Sequence, residues 1–155
     1  MTARLLVVHH SHGGSTGDLV DSLLTGACDP ALDGSTEIIV RSAFEATPED
    51  VLATDAIVIA TAEHFGYMSG ALKHFFEVIY HRCLDQTVGL PWALIVKAGN
   101  DGAGAATSVE RIVAGLKWKP IQPATIAVGD LSTVHLEQAQ ELGAVVAASL
   151  EAGIL

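Results

Sequence analysis

Short apolar runs alternate with helical stripes along this chain. Leu5-Leu6-Val7-Val8 is apolar throughout and stops at His9-His10-Ser11. Four similar runs follow: Glu37-Ile38-Ile39-Val40, Ala56-Ile57-Val58-Ile59-Ala60, Trp92-Ala93-Leu94-Ile95-Val96 and Ala124-Thr125-Ile126-Ala127-Val128. Runs this short and β-branched, apolar at successive positions, fit strands covered on both faces. Between them the period becomes that of a helix. Leu19, Val20, Leu23, Leu24 and Ala27 form one stripe. Thr47-Pro48-Glu49-Asp50 opens a short helix, with Thr as its cap and Pro in its first turn. Met68, Leu72, Phe75, Phe76, Ile79 and Cys83 form a third stripe. The spacing predicts a fourth helix over about 104–117, with Val109, Ile112, Val113 and Leu116 inward. It predicts a last one over about 134–152, with Leu136, Ala139, Leu142, Val145, Val146 and Leu150 on one face. Strands that alternate with helices predict an α/β fold, a parallel sheet with helices on both faces. Such sheets bind ligands at the carboxyl ends of their strands. The loops after the first, third and fourth strands are therefore where chemistry is expected.

No internal repeat, linker or charge block divides the 155 residues, so residues 1–155 are expected to form one domain. Half the residues are hydrophobic and 17% are charged, a balance that buries a core and excludes wholesale disorder. Lys and Arg number 8 against 18 Asp and Glu, a formal charge of −10. That field repels phosphate backbones and anionic membranes, so nucleic acid and membrane are not expected as partners; a basic protein is. Cys28 and Cys83 form no CxxC pair, and both fall on apolar helix faces as expected buried thiols. The first residues lack the pattern of a signal peptide, and no run reaches the length of a membrane span. A cytoplasmic setting is expected.

The first loop reads Ser11-His12-Gly13-Gly14-Ser15-Thr16-Gly17 and runs into a helix. Glycines let amides point inward, the helix start adds donors and partial positive charge, and Ser11, Ser15 and Thr16 add hydroxyls. No Lys or Arg stands between Arg4 and Arg41, so an anion here is held by neutral dipoles. The ending Gly-Lys-Ser/Thr of a nucleotide P-loop is absent. On these residues alone, a phosphate site and an ordinary capped turn are both open. The stretch resembles the phosphate loop of the flavodoxin-like FMN proteins, with Ser11, Gly14 and Thr16 matching it. Gly13 stands where that family usually has a hydroxyl or Tyr; the resemblance places His12 beside the phosphate.

The loop after the third strand is more specific: Thr61-Ala62-Glu63-His64-Phe65-Gly66-Tyr67-Met68-Ser69-Gly70, then Lys73 and Phe75. It is similar to the loop of WrbA-type quinone reductases and NAD(P)H-dependent FMN reductases, which carry a Phe-Gly-x-Met-Ser-Gly core. Ala62-Glu63-His64 departs from it, replacing a Pro-Thr-Arg-like triplet. The family's positive charge is lost there and Glu63 is new. Gly66 permits close approach of the backbone to a flat heterocycle and a peptide flip beside it; Phe65 and Tyr67 can flank the ring. The fourth strand ends Val96-Lys97-Ala98, followed by Gly99-Asn100-Asp101-Gly102. This resembles the glycine-rich loop that lines the pyrimidine side of the flavin, with Asn100 able to bond a ring carbonyl. No Tyr or Trp stands in it to stack on the ring, which leaves a face for a second planar molecule or another subunit.

The resemblance implies a flavodoxin-like three-layer sandwich, with five strands in the order 2-1-3-4-5 and one non-covalent FMN. It implies a cofactor site of Ser11, His12, Gly13, Gly14, Ser15, Thr16, Thr61, Ala62, Glu63, His64, Phe65, Gly66, Tyr67, Ala98, Gly99, Asn100 and Gly102. The flavin then carries the chemistry, and no catalytic side chain is expected. Seven histidines suggest a metal, but their spacing gives no converging ligand set, and none is expected. Trp118, between Lys117 and Lys119, reads as a helix-end anchor. Two functions stay open. The first, which the Phe-Gly-x-Met-Ser-Gly loop and the bare third loop favour and which stands ahead, is an NAD(P)H-dependent oxidoreductase acting on quinones or free flavin. The other is a flavodoxin-type electron carrier served by a redox protein, which the charge favours. A relative that has lost its flavin is a third reading.

Overall fold

The computed structural model describes residues 2–10 and 14–155. Eleven elements follow in order: β1 (Arg4–His10), α1 (Ser15–Ala27), β2 (Glu37–Ser42), α2 (Pro48–Leu52), β3 (Ala56–Ala62), α3 (Gly70–Cys83), β4 (Pro91–Ala98), α4 (Ala103–Leu116), β5 (Lys119–Pro120), β6 (Thr125–Val128) and α5 (Thr133–Glu151). The strands are parallel and ordered β2-β1-β3-β4-β5, with β6 also paired to β4. This is the flavodoxin-like order expected from the sequence, with the fifth strand in two pieces. Pro120 lies opposite Trp92 and Thr125 opposite Ile95, so this edge strand carries two residues more than its partner between those points. Pro123 sits in that bulge, where a missing N–H costs nothing on an open edge.

The apolar runs split by the two-residue period of a strand. Leu6, Val8, Ile57, Ile59, Leu94 and Val96 face α2, α3 and α4, where Phe75, Phe76, Val109 and Leu116 close one core. Leu5, Val7, Val58, Ala60 and Ile95 face α1 and α5, where Leu19, Leu23, Leu142 and Val146 close the other. The cap of α2 is as expected: the Asp50 amide donates to Thr47 Oγ1 (3.2 Å), and the Thr47 amide donates to the Asp50 carboxylate (2.9 Å). Trp118 is buried, and its Nε1 donates to Thr87 Oγ1 at 2.8 Å, an anchor at the end of α4.

Two expectations fail. Cys28 is exposed, not buried, because α1 ends at Ala27 and Cys28 turns out of the stripe as the C-cap. Val145 is exposed as well. Small Gly143 and Ala147 are buried in its place, and they turn the inward stripe of α5 toward α1 and away from Val145. No helix of the described residues is long and apolar enough to cross a membrane.

Candidate functional site

Strand register sets the site. His10 at the end of β1 lies opposite Thr61 of β3, and Ala62 of β3 lies opposite Lys97 of β4. The three loops thus leave one edge of the sheet side by side. Ser11, His12 and Gly13 lie outside the described residues. The next described residue is Gly14, the N-cap of α1, which has no side chain to cap the first turn. Thr16 stands in that turn, 1% exposed, and its Oγ1 has no hydrogen-bond partner among the described residues. A buried hydroxyl left unbonded costs about 1–3 kcal/mol. At the positive end of a helix, this orphan donor fits the oxygen of an incoming anion.

The second loop is built more tightly. His64 and Tyr67 exchange two main-chain hydrogen bonds, each 2.9 Å, around a two-residue turn. Its central residues Phe65 and Gly66 have φ of 53° and 66°. Glycine suits that conformation; Phe is strained in it. Other ties fix the loop from below. The Gly66 carbonyl rests against α4 at Gly104, where a β-carbon would overlap it. The Met68 amide donates to Ser108 Oγ (3.2 Å), and the Ser69 amide donates to Thr61 Oγ1 (3.0 Å). Thr61 is fully buried and donates onward to the Ala62 carbonyl at 2.9 Å, so its hydroxyl serves the loop from inside. Ser69 then caps α3 by accepting from the Leu72 amide. Met68 belongs to the core, whereas Tyr67 is exposed and Phe65 wholly so. A cavity of about 500 Å³ lies among His64, Phe65, Tyr67, Met68 and Gly70.

The third loop is joined to the second through Glu63. Its Oε1 accepts from the Asn100 amide and its Oε2 from the Gly102 amide, both at 2.9 Å. Its own amide donates to the Lys97 carbonyl (2.8 Å). Gly102 is buried at φ 71°, and it N-caps α4. Ala98 is buried beneath the loop, while Gly99 and Asn100 are exposed. Lys97 folds its Nζ back to the Ala98 carbonyl at 3.4 Å.

Three contributors escaped the sequence reading. Gly104 and Ser108 of α4 brace the second loop; the glycine-rich third loop is expected to run to Gly104 but to line the ring, and only a helix pattern marks Ser108. Phe44, 64% exposed after β2, sets its ring 5.1 Å from His10 and 6.2 Å from His74, measured between centroids. An aromatic in a polar turn just past a strand end was its available signal. Among the described residues, no three of His, Cys, Asp or Glu gather as metal ligands.

Comparison with known proteins agrees with this geometry. The family model described as NADPH-dependent FMN reductase matches residues 4–132. An NAD(P)H dehydrogenase (quinone) of Brucella suis is 29% identical over 161 aligned positions, 87% of this chain and 74% of that protein. A flavodoxin of Aquifex aeolicus is 31% identical over 74 residues, 48% of this chain and 38% of its own length. Among solved structures, a flavodoxin from the domain Archaea superposes with a TM-score of 0.81 at 15% identity, covering 96% of this chain and 99% of that one. A WrbA-like flavodoxin from Agrobacterium tumefaciens gives 0.78 at 17% identity, covering 99% of each. The structural neighbours show the fold; the family model spans β1 through the residue that caps α5, and the chain belongs to the NADPH-dependent FMN reductase family.

Proposed function

We propose that this chain, as one domain, holds one FMN without a covalent bond and passes electrons from NAD(P)H to a quinone or to free flavin. The observation that carries this is the buried Thr16 hydroxyl at the start of α1, which has no partner among the described residues and stands near two braced loops. Ser11, Ser15 and Thr16, with the amides of Gly13 and Gly14, would take the phosphate, with His12 beside it. The main chain of 62–67 and of 98–102 would follow the edges of the ring, with Phe65 and Tyr67 beside it. Bound FMN supplies the hydride chemistry, and the protein binds, orients and tunes it. The third loop offers no Tyr or Trp, so a ring face stays open for a nicotinamide. Cys28 and Cys83 are both free thiols, which suits a cytoplasmic setting.

The charge of −10 favours the second reading, a carrier that meets a basic redox protein. The same field slows an anionic nucleotide most at low salt. Reduction of the purified holoprotein decides between them. Flavin released by denaturation should run as FMN; FAD or no flavin would refute the cofactor. NADH or NADPH should bleach the visible band under anaerobic stopped flow. If dithionite bleaches it and neither nucleotide does, the carrier reading replaces the enzyme.

A further inference from the structure

We infer that Glu63 is a positioning residue for the cofactor: its carboxylate fixes the loop after β4 and withholds two of that loop's amides from the ligand. The inference rests on the FMN reading above and adds the part played by one residue of this chain. Glu63 follows β3 directly, and its main chain continues the sheet by donating to Lys97. From there both carboxylate oxygens cross to the neighbouring loop, one to Asn100 and one to Gly102. The bond to Gly102 has a second consequence. Gly102 is the N-cap of α4 and has no side chain of its own, so Glu63 supplies the acid that a helix start favours. Among the described residues, no Lys or Arg forms an ion pair with Glu63; its charge is met by amide dipoles.

This changes what the third loop can offer. Two of its amides are already spent on Glu63. The Asn100 carboxamide carries no hydrogen bond among the described residues, and the loop reads the ring through it and through the remaining main chain. A fixed negative charge stands in the same loop pair. Reduced flavin is anionic near neutral pH, so that charge holds the flavin potential down. Glu63 therefore acts on the ring and not on the phosphate.

Hydrogen exchange on the flavin-free chain tests the clamp by itself. The amides of Asn100 and Gly102 should exchange at least about tenfold faster in Glu63→Ala than in the wild type, with Glu63→Gln between, since a carboxamide accepts through one oxygen only. Flavin titration tests the rest. Glu63→Ala should weaken FMN and riboflavin by the same factor, about tenfold, and Glu63→Gln should raise the midpoint potential. Equal exchange in wild type and Glu63→Ala would overturn the clamp. Unchanged flavin affinity and potential in both variants would overturn its bearing on the cofactor. A loss confined to FMN would overturn the assignment to the ring. Should the wild-type chain bind no flavin while its two amides are protected, the proposal falls with the FMN reading, and the exchange data identify that cause. Glu63→Gln keeps the test open if Glu63→Ala does not fold.

Discussion

Thr16→Val gives stability and binding opposite signs. Valine has the shape of threonine without the hydroxyl, and the two are close in helix propensity. Thr16 is 1% exposed, so its Oγ1 is cut off from bulk water and has no partner among the described residues. Replacing an unbonded buried hydroxyl by a methyl removes a desolvation cost of about 1–3 kcal/mol. In a chain of 155 residues, a gain of about 1–2 kcal/mol raises Tm by roughly 2–8 °C. The flavin-free variant should therefore melt higher than the wild type. FMN binding should move the other way. A hydroxyl that donates to a phosphate makes a charge-assisted bond, worth about 1.5–3 kcal/mol, so affinity should fall roughly 10–100-fold. Riboflavin, which lacks the phosphate, should bind both proteins alike. Thermal melts of the flavin-free chains and two fluorescence titrations supply all three numbers. A lower Tm would mean that the hydroxyl serves the fold. An unchanged FMN affinity would mean that no phosphate oxygen reaches it.

Two further substitutions or conditions probe the scaffold. Gly104→Ala gains about 1 kcal/mol of helix propensity but drives a β-carbon into the Gly66 carbonyl, a displacement costing about 1–3 kcal/mol. Urea unfolding should show a net loss and flavin titration a weaker complex; an unchanged midpoint and affinity would refute the contact. Cys83 is fully buried, and burial pushes its thiol up to about 11 from 9.0, whereas Cys28 is exposed. A thiol reagent at neutral pH should label only Cys28 in the native chain and both after denaturation. The raised value stabilises the folded chain below pH 9. That contribution should be lost as pH climbs from about 9, where the unfolded thiol ionises, to about 11.

The runs of β1, β3 and β4 are strands buried on both faces, where a parallel sheet demands apolar residues at every position, while β2 and β6 at the edges are only partly covered. That demand is local, so it is legible without a structure. The same holds for the cap at Thr47, where donor and acceptor stand three residues apart. Other features depend on neighbours distant in sequence. Val145 satisfies a helical period, but the period does not say which of two adjacent stripes faces α1. The choice is made by Gly143 and Ala147 meeting the helix opposite. The split of the last strand arises likewise, from a register mismatch against β4 that no single strand reveals.

The candidate site divides along the same line. Glycines and hydroxyls after strand ends mark where a backbone can approach a ligand, and these marks survive in one dimension. Glu63 reads only as an acid out of place, because its acceptors' partners are Asn100 and Gly102, more than thirty positions on. Two residues that break local rules stand on this edge of the sheet, while Thr36, Asp85 and Lys117 break them elsewhere. Thr16 buries a hydroxyl that has no partner among the described residues. Phe65 takes a left-handed backbone conformation and exposes its whole ring, against both its steric and its solvation preference. Together these cost a few kcal/mol, on the order of 1–3 for each strained or unbonded group. The fold sustains that cost through ties that obey the rules: Glu63 to the third loop, Met68 to Ser108, Ser69 to Thr61. A scaffold that over-determines a strained edge is pre-organised for something that completes it. On the proposed reading, an anion at α1 would bond the Thr16 hydroxyl and a flat ring would cover Phe65, whereas an anion or a ring alone would do only one of these.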